Sequence, residues 1–167
     1  MVFFLSQWVA FSQQNKIEIK AEFYPKKDQI LIQQSIKYIN ISDSILTNIY
    51  LHNWPNSFKN RKTPLSKRFV KNFRKDMFFA RDNELGFSKI NNLSIDFQES
   101  NFEVLKNQQD IIRLPLNEPL QKNDSITISI NYLVKIPDDK FTKYGKTKEG
   151  YHLRYWYITP AVYKKGW

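Results

Sequence analysis

Two histidines, His52 and His152, are the side chains best suited to proton transfer near neutral pH, and a hundred positions separate them. His52 closes an alternating run just before Asn53-Trp54-Pro55, where a hydrogen-bonded structural histidine is the plainer reading. His152 lies between Tyr151 and Leu153 with Arg154 nearby. These types suit the wall of a ligand cleft, but no partner in sequence completes a nucleophilic triad. Asp138 and Asp139 are adjacent carboxylates, and neighbours on a strand or turn point apart. A solvated turn pair explains them better than an acid/base dyad. The chain has no cysteine, which removes disulfides, thiol nucleophiles, zinc fingers and iron–sulfur ligation. Its four glycines, Gly86, Gly145, Gly150 and Gly166, form neither a phosphate-cradling loop nor a Gly-x-Ser-x-Gly elbow. A self-sufficient active site is therefore not expected, and neither is a metal or cofactor site.

The elements that would carry these residues read mainly as strands. Isoleucine and aromatic residues abound while glycine is scarce, a composition suited to half-buried pleated surfaces. The 167 residues suit one domain. From Lys16 to Tyr24, Ile17, Ile19, Ala21 and Phe23 alternate with Glu18, Lys20 and Glu22, predicting a strand with one wet face. Pro25-Lys26-Lys27-Asp28 is a turn, and Gln29 to Ile41 completes a hairpin with Ile30, Ile32, Ile36 and Tyr38 in phase. Further strands are expected at Ile45–His52, at Leu93–Phe97, at Phe102–Leu105, at Asp110–Leu116 and at Ser125–Val134. A last aromatic strand is expected at Tyr151–Ile158. Thr63-Pro64 followed by Leu65, Phe69, Phe73 and Met77 at four-residue spacing predicts a basic amphipathic helix over 64–79. The expected fold is a twisted antiparallel, saddle-like sheet or sandwich of about eight strands with one short helix.

Residues 1–12 open with an apolar run about the length of a signal-peptide core, too short to span a bilayer, and Ala10-Phe11-Ser12 offers small residues for cleavage. A basic leader is missing, and a buried first strand or frayed terminus is the alternative. The reading adopted is a signal-peptide remnant, with the β domain over 13–167 in an exported, periplasmic or cell-surface protein. Three Asn-x-Ser sequons begin at Asn40, Asn92 and Asn123, matches that an asparagine-rich chain produces by chance.

The formal net charge of +10 is unevenly spread. Residues 59–81 carry a net +8 and residues 140–167 a net +6, leaving the remainder acidic. A basic amphipathic helix suits a membrane surface or a nucleic acid as well as plain solvation. The aromatics fit no base-stacking strand face, so nucleic acid is not expected. The apolar helix face has just enough residues to dock on its own sheet, so membrane contact is not expected either.

Three stretches together carry a resemblance. Tyr50-Leu51-His52-Asn53-Trp54-Pro55-Asn56 resembles the Leu-His-x-Trp-Pro-Asn stretch of exported aminopeptidase N-type zinc metallopeptidases of Bacteroidetes. Phe78-Phe79-Ala80-Arg81 with Gly86 looks like the segment after it, and Tyr151 to Tyr163 looks like the strand leading toward the catalytic domain. The likeness runs from about Lys16 to Trp167. It implies an amino-terminal β domain that packs on a thermolysin-like catalytic domain and helps wall its substrate cleft. Zinc and its His-Glu-x-x-His ligands belong to that partner domain, so the resemblance transfers no catalytic or metal residue here, and the chain reads as a fragment, inactive alone. His152, Arg154, Tyr155 and Trp156 become the candidates for the peptide-cleft side, with core or interdomain packing as their other reading. Tyr155, Trp156, Tyr157, Tyr163 and Trp167 are expected to leave apolar surface open. The alternative function is a free-standing secreted β-sandwich module binding a glycan or an acidic partner.

Overall fold

The computed structural model describes residues 15–164 and 166–167. The signal-peptide reading of residues 1–12 lies outside the described residues. Strand β1 (Lys16–Tyr24) pairs antiparallel with β2 (Gln29–Ile39), with Lys16 opposite Lys37 and Tyr24 opposite Gln29. A 3-10 turn at Pro25–Lys27 joins them, closed by Asp28 in the left-handed region at φ 52°. The chain continues through β3 (Leu46–His52), a 3-10 turn at Trp54–Phe58, and helix α1 (Pro64–Lys71). Then come β4 (Phe87–Ile95), β5 (Gln98–Glu99), β6 (Glu103–Val104), β7 (Ile111–Leu120) and β8 (Ser125–Lys135). Short strands β9 (Gly145–Lys146), β10 (Tyr151–His152) and β11 (Thr159–Pro160) complete it.

The fold is mainly β, with antiparallel sheets and one α-helix among the described residues, as expected from the alternation. One sheet runs β1-β2-β8-β4-β5, another β11-β3-β7-β6, and β9 and β10 form a small ladder. The two larger sheets share one core. Ile30, Ile32 and Ile36 of β2 and Ile128, Ile130 and Val134 of β8 meet Ile49 and Leu51 of β3 and Ile112 and Leu114 of β7. Period-two alternation places these on one face, and truncating a fully buried one such as Ile128 to alanine costs about 2–5 kcal/mol. Edge strand β1 is the exception. Its Ile17 and Ile19 are only half-buried, and Phe23 is exposed.

Several boundaries depart from expectation. Strand β4 starts at Phe87, well before Leu93, because a bulge between Ile90 and Asn92 resets the alternation there. Phe97 is not part of the strand. It sits with Asp96 in a two-residue hairpin turn, at φ 68° and 46°, with its ring in solvent. Of the expected aromatic strand over Tyr151–Ile158 only β10 forms; residues 153–158 are irregular, and β11 begins after them. Tyr155 at φ 53° cannot continue an extended run.

Helix α1 stops at Lys71 instead of running to residue 79. Its start is as read: Thr63 caps it, with its hydroxyl accepting from the Ser66 N–H at 3.3 Å, and Pro64 follows. Its end is a Schellman closure, in which Arg74 N–H donates to Phe69 O at 2.8 Å and Phe73 N–H donates to Val70 O at 3.0 Å. Phe73 fills the left-handed position at φ 58°, where glycine is usual and another residue costs about 1–2 kcal/mol. The Arg74 guanidinium lies 4.1 Å over the Phe69 ring and donates to Phe141 O at 2.9 Å, bonds that a longer helix would forfeit. Phe69 and Met77 still reach a second core with Phe58, Leu85, Phe141 and Tyr144, whereas Phe73 is 94% exposed.

Candidate functional site

The candidate site is a half-open aromatic cleft where the end of β3 meets the final segment. It is built from the turn after β3. The buried Asn53 donates its N–H to Asp110 O at 2.8 Å, and its side-chain oxygen accepts from Ser88 Oγ at 2.8 Å. Ser57 Oγ donates to Asp110 Oδ2 at 3.1 Å, and Asn56 Nδ2 donates to Gln109 O. These bonds tie the Trp54–Phe58 turn to the start of β7. Proline at Pro55 removes a donor and fixes the turn, so Trp54 is held with little freedom.

The opposite wall arrives irregularly but is anchored at Ile158. The buried Ile158 donates its N–H to Tyr132 Oη at 3.1 Å and accepts at its carbonyl from Gln34 Nε2, while Tyr132 Oη donates to Gln34 Oε1. Thr159 and Pro160 then lie opposite His52 and Leu51, and Ala161 N–H donates to Tyr50 O at 2.8 Å. Between His152 and Ile158 the chain is irregular, with Leu153, Arg154 and Tyr155 exposed. His52, Trp54, Asp110, Tyr155, Tyr157 and Thr159 line a cavity of about 290 Å³. The Trp54 and Tyr155 rings meet near edge-on, with centroids 6.4 Å apart at 73°.

The four candidates from the sequence separate. Tyr155 lines the cleft and is 66% exposed. Trp156 is half-buried and packs against both cores, standing edge-on to Tyr157 at 5.5 Å. His152 pairs with Gly145 in the small ladder, and both it and Arg154 are exposed without lining this cleft. Among the five residues expected to leave apolar surface, Tyr155 and Trp167 are exposed, and Trp156, Tyr157 and Tyr163 are half-buried. Trp54, Tyr157, Asp110 and Thr159 were missed as site residues, and His52 was read as structural. The Trp-Pro pair closing β3 was the available signal, since a rigid aromatic at a strand end is poised to face a neighbour.

Chemically the cleft offers aromatic faces, one carboxylate and one imidazole, a set suited to binding. Among the described residues, no group of three or more histidines and carboxylates lies close enough to hold a metal ion.

A second polar cluster braces the small ladder. Asp28 Oδ1 lies 2.7 Å from Tyr151 Oη and 2.9 Å from Lys146 Nζ, and Asp28 Oδ2 lies 3.3 Å from Lys135 Nζ. Burial works against its charge, but Lys146, Tyr151 and Lys135 outweigh it and hold the carboxyl below its usual range. Burial and the Asp28 carboxylate together push the Tyr151 phenol up to about 12. At Glu84, hydrogen bonds from Lys140 and then Arg81 draw the carboxyl down to about 2.

No protein-family model matches the chain, and no curated protein matches it in sequence.

Proposed function

We propose that this chain is the non-catalytic amino-terminal β domain of an exported aminopeptidase N-type zinc metallopeptidase. Its work is to scaffold the catalytic domain and to wall the entrance through which peptide substrate reaches the zinc held there. One observation carries the reading. Two of the three stretches that resemble the family lie a hundred residues apart in sequence, yet they form one wall. Thr159 pairs with His52, Ala161 bonds to Tyr50, and Tyr155 stands against Trp54. Around that wall Leu153, Tyr155, Val162 and Trp167 remain exposed, an apolar surface of the kind that packs on a partner domain.

The test lies in the reading frame past Trp167 and in its product. The frame is expected to encode His-Glu-x-x-His and a downstream glutamate. The longer protein is expected to hydrolyse aminoacyl-4-nitroanilides in a chelator-sensitive way, while residues 13–167 alone do not. A frame that leads elsewhere, or one that stops at once, overturns the reading.

The cleft also favours a second reading, a secreted module that stacks a sugar ring on Trp54, Tyr155 and Tyr157 beside Asp110. Glycan-array binding that is lost in Trp54→Ala would support it over the first.

A further inference from the structure

We propose that the segment from α1 to Arg81 docks on an anionic phospholipid surface, with Phe73 and Phe79 entering the headgroup boundary and lysines covering the phosphates. The expectation is that this segment spends its apolar residues on its own fold; Phe69 and Met77 do so, in the second core, and Val70, Phe73, Phe78 and Phe79 do not. Phe73 is 94% exposed, Phe79 70%, Phe78 47% and Val70 45%. These four apolar side chains fall within ten residues, inside a segment that carries a net +5 from Pro64 to Arg81. Its single acid, Asp76, is already paired with Arg74 at 2.6 Å, and Arg74 is turned onto the Phe141 carbonyl. Lys67, Arg68, Lys71 and Lys75 are exposed and free to meet anions.

Phe73 is the decisive residue. It occupies a left-handed position that glycine would fill without strain, and it gains no burial in return. Phe97 shares this strain and exposure, but Phe73 alone of the two lies within a run of exposed lysines, so its cost has a use outside the fold. An aromatic tip beside several lysines is the chemistry of the membrane interface, where ring insertion and attraction to anionic headgroups add. Readers of single-stranded nucleic acid place their aromatics on a sheet platform along a basic groove, whereas these rings sit at a helix end and the turn beyond it. The segment shares no residue with the aromatic cleft, so it does not depend on the aminopeptidase reading.

The test is sedimentation of the full chain with vesicles of phosphatidylcholine containing roughly one-third phosphatidylserine, at about 0.1 M salt. The chain is expected to sediment with these and to stay in solution with phosphatidylcholine alone. Lys67→Gln, Lys71→Gln and Lys75→Gln are each expected to weaken partition about fivefold. Phe73→Gly is expected to weaken it about tenfold. That variant also relieves the left-handed strain, so its thermal midpoint is expected to rise as binding falls, which separates lost binding from lost folding. Phe79→Ser, well folded by circular dichroism, is expected to weaken binding similarly. Absence of sedimentation with anionic vesicles overturns the proposal, as does partition unchanged in Phe73→Gly. Retention of single-stranded RNA or polyglutamate without vesicle binding overturns it in favour of those partners.

Discussion

Tyr132 and Tyr144 are both buried phenols whose hydroxyls have opposite fates. Tyr132 Oη donates to Gln34 and accepts from Ile158, holding the last segment onto the five-stranded sheet. Tyr144 Oη has no hydrogen-bond partner among the described residues, and burial alone pushes this phenol up. Removing one member of a buried network leaves the others unpaired, whereas removing an unpaired hydroxyl removes a cost. Tyr132→Phe is therefore expected to lose about 2 kcal/mol and Tyr144→Phe to gain about 1 kcal/mol, read from urea midpoints at unchanged slope. Equal effects of the two would refute the assignment. Tyr132 was legible as inward-facing from the parity of β8. Gln34, at inward parity in β2, was not, because its partner lies 124 residues away at Ile158. Tyr155 and Trp54 were likewise visible as aromatics, but their meeting depends on β3–β11 pairing, which no local pattern encodes.

At the scale of elements, the β4–β5 hairpin carries a testable misfit. Its two-residue turn puts Asp96 and Phe97 at positive φ, the type I′ geometry that favours Asn-Gly or Asp-Gly. Asp96 is well used there, since its carboxylate accepts from the Thr127 N–H at 2.8 Å. Phe97 is 93% exposed and contributes little packing. Phe97→Gly is expected to stabilise the chain by about 1 kcal/mol, visible as a higher thermal midpoint. A lower midpoint would mean that the ring makes contacts the exposure conceals. The same two residues explain why the turn was read as strand. Leu93, Ile95 and Phe97 keep perfect alternation, and periodicity carries no information about backbone sign. Strands β2 and β8 were legible because alternation and burial agree over seven or more residues, β1 from alternation alone because it lies at the sheet edge, and β3 only past the bulge between Leu46 and Asn48. Strands β9, β10 and β11 span two residues each and were not legible, since pairing partners rather than pattern define them. The helix was legible at its capped start and not at its end, where a tertiary anchor at Arg74 decided the matter.

Across the whole molecule, the unevenly spread charge divides, among the described residues, into cations with internal partners and cations without. Lys135 and Lys146 hold Asp28, fastening the first hairpin to the end of β8 and the loop after it, and Lys140 holds Glu84, fastening that loop to the segment before β4. The Ile136 N–H donates to Asp28 O at 2.8 Å, so Asp28 joins these parts by backbone as well as by charge. Both carboxyls are depressed in the folded state, Glu84 from 4.5 to about 2 and Asp28 below 3.8. The unfolded chain therefore binds more protons than the folded one in that range. Their contribution is full above about pH 5 and is lost as pH falls through the folded values toward about 2. Tyr151 has the opposite sign. Its phenol is raised from 10.0 to about 12, so its contribution is full below 10 and is lost as pH rises through about 12. Urea midpoints measured from pH 7 downward are expected to fall along an acid limb that is shallower in Asp28→Asn and shallower still with Glu84→Gln added. Asparagine tolerates the left-handed φ at position 28, so the first substitution tests charge rather than turn geometry. An acid limb unchanged in the double variant would place the proton-linked stability elsewhere and remove Asp28 as the electrostatic joint of the molecule.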